Sequence, residues 1–349
     1  MKIAVVRAGD LSPDHHASWV KLQSGNRQLD SPYFRPEYTA AVGAVRPSAE
    51  VGVVEDHAGV AGFFPFERGR FNVAGPIGGH MTDFQGCIAG AERDLDPTAV
   101  LGGCRLNAWD FDHQLASQAM FAPFAVVQTR SPFIDTAAGF DAYVASRRLD
   151  GSQNVPQLRR KERGLAKSLG PVRLEVDTTD PAVFTQTLAW KSAQYRATGV
   201  RDIFTTQPWT LELLTRIQQH RDRAFAGLVS ALYAGDRLVA GHVGMRSDTV
   251  WHYWFPAHDP AAAAFSPGSI LLLKMIERAP AMGITRIDLG KGEMRYKSRF
   301  MSGAIPLIEG RLELPSAVTT YRRAARRLYQ WGRMTPPARL LRRLRHGAS

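Results

Sequence analysis

A chain of 349 residues, 44% apolar and 22% charged, has the balance of a folded globular protein and room for two domains of ordinary size. No run of about 18 apolar residues occurs, which excludes a membrane-spanning helix. The opening MKIAVVRAGD is too short in apolar residues for a signal peptide, so a cytoplasmic protein is expected. Cys87 and Cys104 are too few for a disulfide framework or a metal site of their own, and the histidines lack ligand spacing, so no metal is expected. The net charge of +12 is concentrated in residues 316–349, which hold nine arginines and no acid, leaving +3 for residues 1–315. That distribution argues against a nucleic-acid-binding body, tRNA included, and for an anionic partner of the C-terminus alone.

In chain order, Ile3–Val6 reads as a strand, and Asp14–Ser24 and Pro36–Ala44 as helices. Val51–Glu55, the turn Asp56–Gly59, Val60–Phe66 and Phe71–Val73 read as a meander. Gly75–Gly79 is glycine-rich, but no apolar helix follows it directly, so this half is expected to lack a cofactor loop. Asn154–Leu169, rich in Arg and Lys, is expected as an exposed connecting helix. A strand at Val172–Val176 and helices at Pro181–Thr198 and Pro208–Arg223 follow. A second meander comes next, of Gly227–Tyr233, Leu238–Met245 and Val250–Phe255. Ser266-Pro267-Gly268-Ser269 then opens an apolar helix to Ala279, with Pro just inside its start and Gly283 beyond its end. A strand at Ile284–Leu289, a short helix at Met294–Met301 and two strands near Ile305–Ile308 and Arg311–Leu314 complete the body. The turns at Asp56 and Ala234 lie 178 positions apart, as an internal duplication would place them. The expected organisation is a domain at 1–150, a basic connecting helix at 151–170, a second domain at 171–315 and a tail at 316–349. The fold class is α/β (α+β), with mixed, mostly antiparallel sheets flanked by helices.

Val250–Ala279 combines a strand, a glycine and a helix start. A glycine lets the backbone approach phosphate, and the free N–H groups and positive dipole end of the helix face the anion. By itself this pattern equally describes a simple helix cap.

The order of elements resembles the GCN5-related N-acetyltransferase (GNAT) fold. More narrowly, Tyr253-Trp254-Phe255-Pro256-Ala257-His258-Asp259, Ser266-Pro267-Gly268, Gly283, Asp288-Leu289-Gly290, Gly292-Glu293, Tyr296-Lys297 and Phe300 resemble the CelD/BcsL-like acetyltransferases. Those enzymes are associated with cellulose and other exopolysaccharide synthesis and are similar in their doubled fold to the Fem peptidyltransferases. The resemblance implies tandem GNAT-like domains and transfer of an acyl group from acetyl-CoA, or another acyl-CoA, to an amino group of a sugar or polysaccharide precursor. It implies a cofactor site of Tyr253, Phe255, Ser266, Gly268, Ser269 and Lys297. Pro267 departs from the usual loop by removing one donor. Aminoacyl-tRNA-dependent transfer, and a degenerate ligand-regulated scaffold of polysaccharide secretion, are the alternatives.

An amine acceptor must lose a proton before attack, which calls for a base. His242 on a central strand and Glu293 at a strand end are the candidates, with a structural role for His242 as the competing reading. Tyr296 is a candidate donor to the leaving thiolate, or else a packing residue. Asp83, Trp109 and Asp288 are candidate acceptor-groove residues, Asp288 also reading as a loop anchor. In the tail, Arg322, Arg323, Arg326 and Arg327 share one side of a helix, and Arg342 and Arg343 lie beside leucines. The segment admits three readings: a solvated tail, a peripheral contact with an anionic membrane surface, or an arginine site for a cyclic dinucleotide regulator.

Overall fold

The computed structural model describes residues 1–334 apart from Glu92, Asp94 and Glu293, with the backbone alone for 332–334. The strands are β1 Lys2–Arg7, β2 Ala49–Asp56, β3 Gly59–Arg68, β4 Val73–Pro76, β5 Ile88–Ala89, β6 Ala108–Leu115 and β7 Ala125–Asp135. There follow β8 Val172–Glu175, β9 Arg221–Asp222, β10 Phe225–Ala234, β11 Arg237–Ser247, β12 Val250–His258, β13 Arg286–Asp288 and β14 Gly303–Glu313. The helices are α1 Pro13–Ser24, α2 Pro36–Val45, α3 Pro97–Gly103, α4 Phe140–Leu149, α5 Asn154–Leu169, α6 Pro181–Ala197, α7 Ile203–Thr206, α8 Trp209–Ile217, α9 Pro267–Arg278, α10 Arg295–Phe300 and α11 Ala317–Met334. The mixed α/β class is as expected, and the helix starts follow their caps: Ser12, Asp180 and Asp202 side chains accept from backbone N–H groups of α1, α6 and α7.

Among the described residues the strands form one sheet in the order β1-β2-β3-β4-β6-β14-β7-β13-β12-β11-β10-β8. The hairpins β2–β3 and β10–β11 lie toward its two ends and turn at the equivalent positions Asp56–Gly59 and Ala234–Arg237. Pairing is antiparallel except for β4–β6 and β12–β13. The two short strands expected near 305–314 are one continuous strand, β14, with a bulge at Glu309/Gly310. It lies between β6 and β7 of the first half, so the last strand of the body closes the first half's sheet. The expected strand at Phe71–Val73 is a 3-10 turn at Arg70–Asn72 leading into β4, and the helix expected to run to Arg223 stops at Ile217.

Helices cover both faces of the second half. Leu271, Leu273 and Met275 of α9 are sealed between α5 and β10–β12, while α6 and α8 pack on the opposite face with Leu213, Leu214 and Ile217. Each such side chain removed from water stabilises the fold by about 1.5–3 kcal/mol. The connecting helix α5 is not simply exposed. Val155, Leu158 and Leu165 form a buried stripe, and Lys161 Nζ stands 2.5 Å from Ser266 Oγ.

Candidate functional site

Two local irregularities open a cleft in the sheet. β12 pairs with β13 only through Val250–His252. Past Asp288 the chain leaves β12, and Leu289 N donates to Pro132 O of β7 instead. Residues 253–258 of β12 therefore have a ladder partner on the β11 side alone. The resulting gap is a cleft of ≈ 400 Å³ whose walls include Tyr253, Trp254 and His258 on one side and Leu289, Gly290 and Lys291 on the other. Its size is that of an ordinary small-molecule site.

The second irregularity is a β-bulge. Val243 faces Phe255 and Met245 faces His252, so Tyr253 and Trp254 together oppose Gly244. The Trp254 N–H that would lose its partner there donates instead to His242 Nε2 at 3.2 Å. A Cβ on Gly244 would lie 2.5 Å from that imidazole and 2.4 Å from His252 O, so the glycine makes room for the ring. His242 is fully buried, stacks on Tyr253 and does not line the cleft. Burial, and secondarily the neighbouring His252, pull its pKa down to about 3. His242 is thus the structural plug of the bulge, not the base of the sequence reading.

At one end of the cleft stands the start of α9. Ser266 sits in the left-handed region (φ +55°), and Ser266, Gly268 and Ser269 line the wall. Ser269 N and Ile270 N already donate to Ser266 O. Pro267 has no donor, which leaves Gly268 N among the first four positions as the amide with no intrahelical partner. A Cβ on Gly268 would meet only His258 Nδ1, at 3.7 Å. Two lysines gather here, Lys161 on Ser266 and Lys191 in the wall, beside His258, whose pKa burial lowers so that the neutral imidazole is favoured. Lys191, its pKa brought down to about 8 by burial and by Lys297, was missed from the sequence because no motif marks its place on α6.

At the other end stands Asp83, delivered by the first half. His252 Nε2 lies 3.2 Å from its Oδ2 and His113 Nε2 lies 3.5 Å from its Oδ1. Burial opposes ionisation of Asp83, but His252, His113 and Lys297 together outweigh it and hold the carboxyl below its ordinary value. A Cβ on Gly290, itself at φ +72°, would approach Asp83 Oδ2 to 2.6 Å. Tyr33, wholly enclosed, packs edge-on against His252 and Trp254, giving this end an aromatic wall. No local pattern signals the His252–Asp83 pairing, since 169 positions separate the two.

The remaining predicted residues divide plainly. Tyr253, Tyr296 and Lys297 line the cleft, with Tyr253 Oη 3.4 Å from Gly268 O. Burial raises the pKa of both tyrosines. Lys297 Nζ donates to Gly290 O and Lys291 O at 2.9 Å each, so it shapes the 289–291 loop. Phe255 points away into the α6–α8 core against Phe204, and Trp109 is buried among Phe64, Phe111 and Phe121. Asp288 is fully buried and holds Arg286 Nε at 2.8 Å, while the same guanidinium grips Asp30 at 2.6 and 2.8 Å. It anchors β13 to the first half and does not face the cleft. Glu293, Arg342 and Arg343 lie outside the described residues. Arg322 pairs with Asp110, and Arg323 and Arg326 with Glu313, so three cations expected to face an anionic ligand are matched from within; Arg327 is exposed. Among the described residues no cluster of His, Cys, Asp or Glu could hold a metal, and no helix is long and apolar enough to cross a membrane.

Comparison with known proteins places this geometry. Residues 153–298, from α5 through α10, match the family model of the acetyltransferase (GNAT) domain. FemX superposes with a TM-score of 0.61 at 11% identity, over 92% of this chain and 99% of that one. The C-terminal DUF2156 domain from Agrobacterium fabrum, titled as belonging to a lysylphosphatidylglycerol synthetase, gives 0.54 at 12% over 88% and 95%. A conserved protein of Bacteroides thetaiotaomicron gives 0.52 at 8% over 84% and 95%. No curated protein sequence matches the chain. Residues 153–298 thus match an acetyltransferase (GNAT) domain, which supports an acyltransferase, and the fold of nearly the whole chain is that of FemX.

Proposed function

We propose that the cleft transfers an acyl group, acetyl in the first instance, from an acyl-CoA to an amino group of a sugar or polysaccharide precursor. One observation carries this reading: the gap between β12 and β13 runs from a helix N-terminus flanked by Lys161 and Lys191 to a half-buried, histidine-paired carboxylate. The first end fits a diphosphate. Gly268 N, the dipole of α9, Lys161, Lys191 and His258 would hold it, a helix dipole alone being worth about 0.3–1 kcal/mol to an anion. The open edge of β12 suits an extended amide-bearing arm, which adds to an unpaired strand as a peptide does. When bound, the cofactor supplies the acyl group activated as a thioester.

The second end fits an ammonium group. Asp83 pairs with it, and Trp254 offers an aromatic face. The ammonium must shed two protons. The Asp83–His252 pair takes one before attack; as the nitrogen–carbon bond forms and the carbon–sulfur bond breaks, the Tyr296 hydroxyl gives its proton to the thiolate and is restored by the second proton leaving nitrogen.

Thermal shift with acetyl-CoA tests the reading directly. The protein should gain stability with the cofactor, and Gly268→Glu, which sets a carboxylate in the diphosphate position, should abolish the gain. Binding of aminoacyl-tRNA with no response to any acyl-CoA would replace this function by a Fem-like one, and no response to either would make the fold a scaffold.

A further inference from the structure

Helix α11 is turned the wrong way round for a surface helix. Such helices ordinarily bury an apolar stripe and show charge to water. Here Thr319 is fully buried, and Arg322, Arg323 and Arg326 reach inward to Asp110 and Glu313 on the sheet. Tyr321, Leu328 and Trp331 look outward and are 75%, 68% and 70% exposed, with Ala324 and Ala325 between them on the same face. Beside the helix, Tyr321 and Ala325 line an open groove with Val126 and Val127 of β7, 65% and 47% exposed, and with Glu309, Arg311 and the Arg322–Asp110 pair.

We propose that this face seats the protein on an anionic lipid surface. The aromatic residues have the mixed character that settles at the boundary of headgroups and acyl chains, and leucine supplies apolar depth. Charge complementarity selects the occupant. From Arg327, which is exposed, onward the sequence holds six arginines and no acid, a charge that complements anionic headgroups. A second copy of the chain would bring the same uncompensated arginines and, in that segment, no acid to match them. The proposal does not depend on the chemistry of the cleft, since no α11 residue lines it.

Full-length protein is sedimented with phosphatidylcholine vesicles containing or lacking phosphatidylglycerol. The expected result is partition onto the anionic vesicles, weakened by salt, with a blue shift of Trp331 emission. The triple variant Tyr321→Ser, Leu328→Ser, Trp331→Ser should partition at least ~tenfold less well while keeping its thermal transition. Trp331→Phe should still bind but lose the emission change. Equal partition of the triple variant and the parent protein overturns the proposal. So does failure of the parent to bind anionic vesicles, including the case in which the parent forms a concentration-dependent dimer that the triple variant lacks.

Discussion

His252 Nε2 lies 3.2 Å from Asp83 Oδ2, joining a buried histidine of the second half to a carboxylate of the first that lines the cleft. Neither half holds both groups, so the proposed proton acceptor exists only in the doubled chain. Asp83→Asn keeps the shape of the carboxylate and removes its charge. The expected outcome is a fall in kcat/KM of about 10²–10³ with acetyl-CoA affinity unchanged, read from steady-state kinetics and calorimetry.

Gly290→Ala tests the same pair from the other side. The new methyl would press on Asp83 Oδ2 from a backbone conformation that side chains rarely adopt. Turnover should drop with little change in cofactor binding, and circular dichroism should show the fold retained.

Lys191 gives the cofactor site a pH dependence. Its pKa is brought down to about 8, so in the free protein the ammonium is largely present below that pH and is lost above it. An anionic diphosphate favours the charged form. Acetyl-CoA should therefore bind more weakly as pH rises from 7 to 9, and Lys191→Met should flatten that dependence and weaken binding at pH 7. Calorimetry across the range checks both.

His242 predicts an effect on stability. Its folded-state pKa, about 3, lies below the ordinary value of 6.5, so below pH 6.5 the unfolded chain takes up a proton that the folded chain does not. Stability must then fall as pH drops from 6.5 toward 3, by about 1.4 kcal/mol per unit from this group. His242→Gln should remove that part of the slope in urea titrations. Leaving Trp254 N without its partner, as His242→Leu does, should cost about 1–3 kcal/mol.

The sequence disclosed what local pattern controls. The β10–β12 meander, the proline-led start of α9 and the apolar run behind it were all legible, because strand alternation and helix caps are written within a few residues of where they act. The α9 end of the cleft, the proposed cofactor end, was legible as a loop and helix start for the same reason. The acceptor end was only half so: Asp83 could be singled out, but Trp109 and Asp288, equally plausible by type, are taken up by an aromatic core and by the Arg286 clamp. His242 misled because a histidine on a central strand near the site looks the same in sequence whether it titrates or fills a bulge. The bulge was hidden, since it comes from one extra residue in β12 set against Gly244.

The position of β14 between β6 and β7 bears on how the protein is made. Chains emerge from the ribosome N-terminus first, and here the first half reaches the end of β7 at Asp135 with facing strand edges still open. Those edges stay open until residues 303–313 have been synthesised, and open edges invite pairing with other chains. Folding of the first half is thus postponed until translation is nearly over. Cutting the gene between the halves should leave an N-terminal fragment that aggregates, rescued when a peptide spanning 303–313 is supplied.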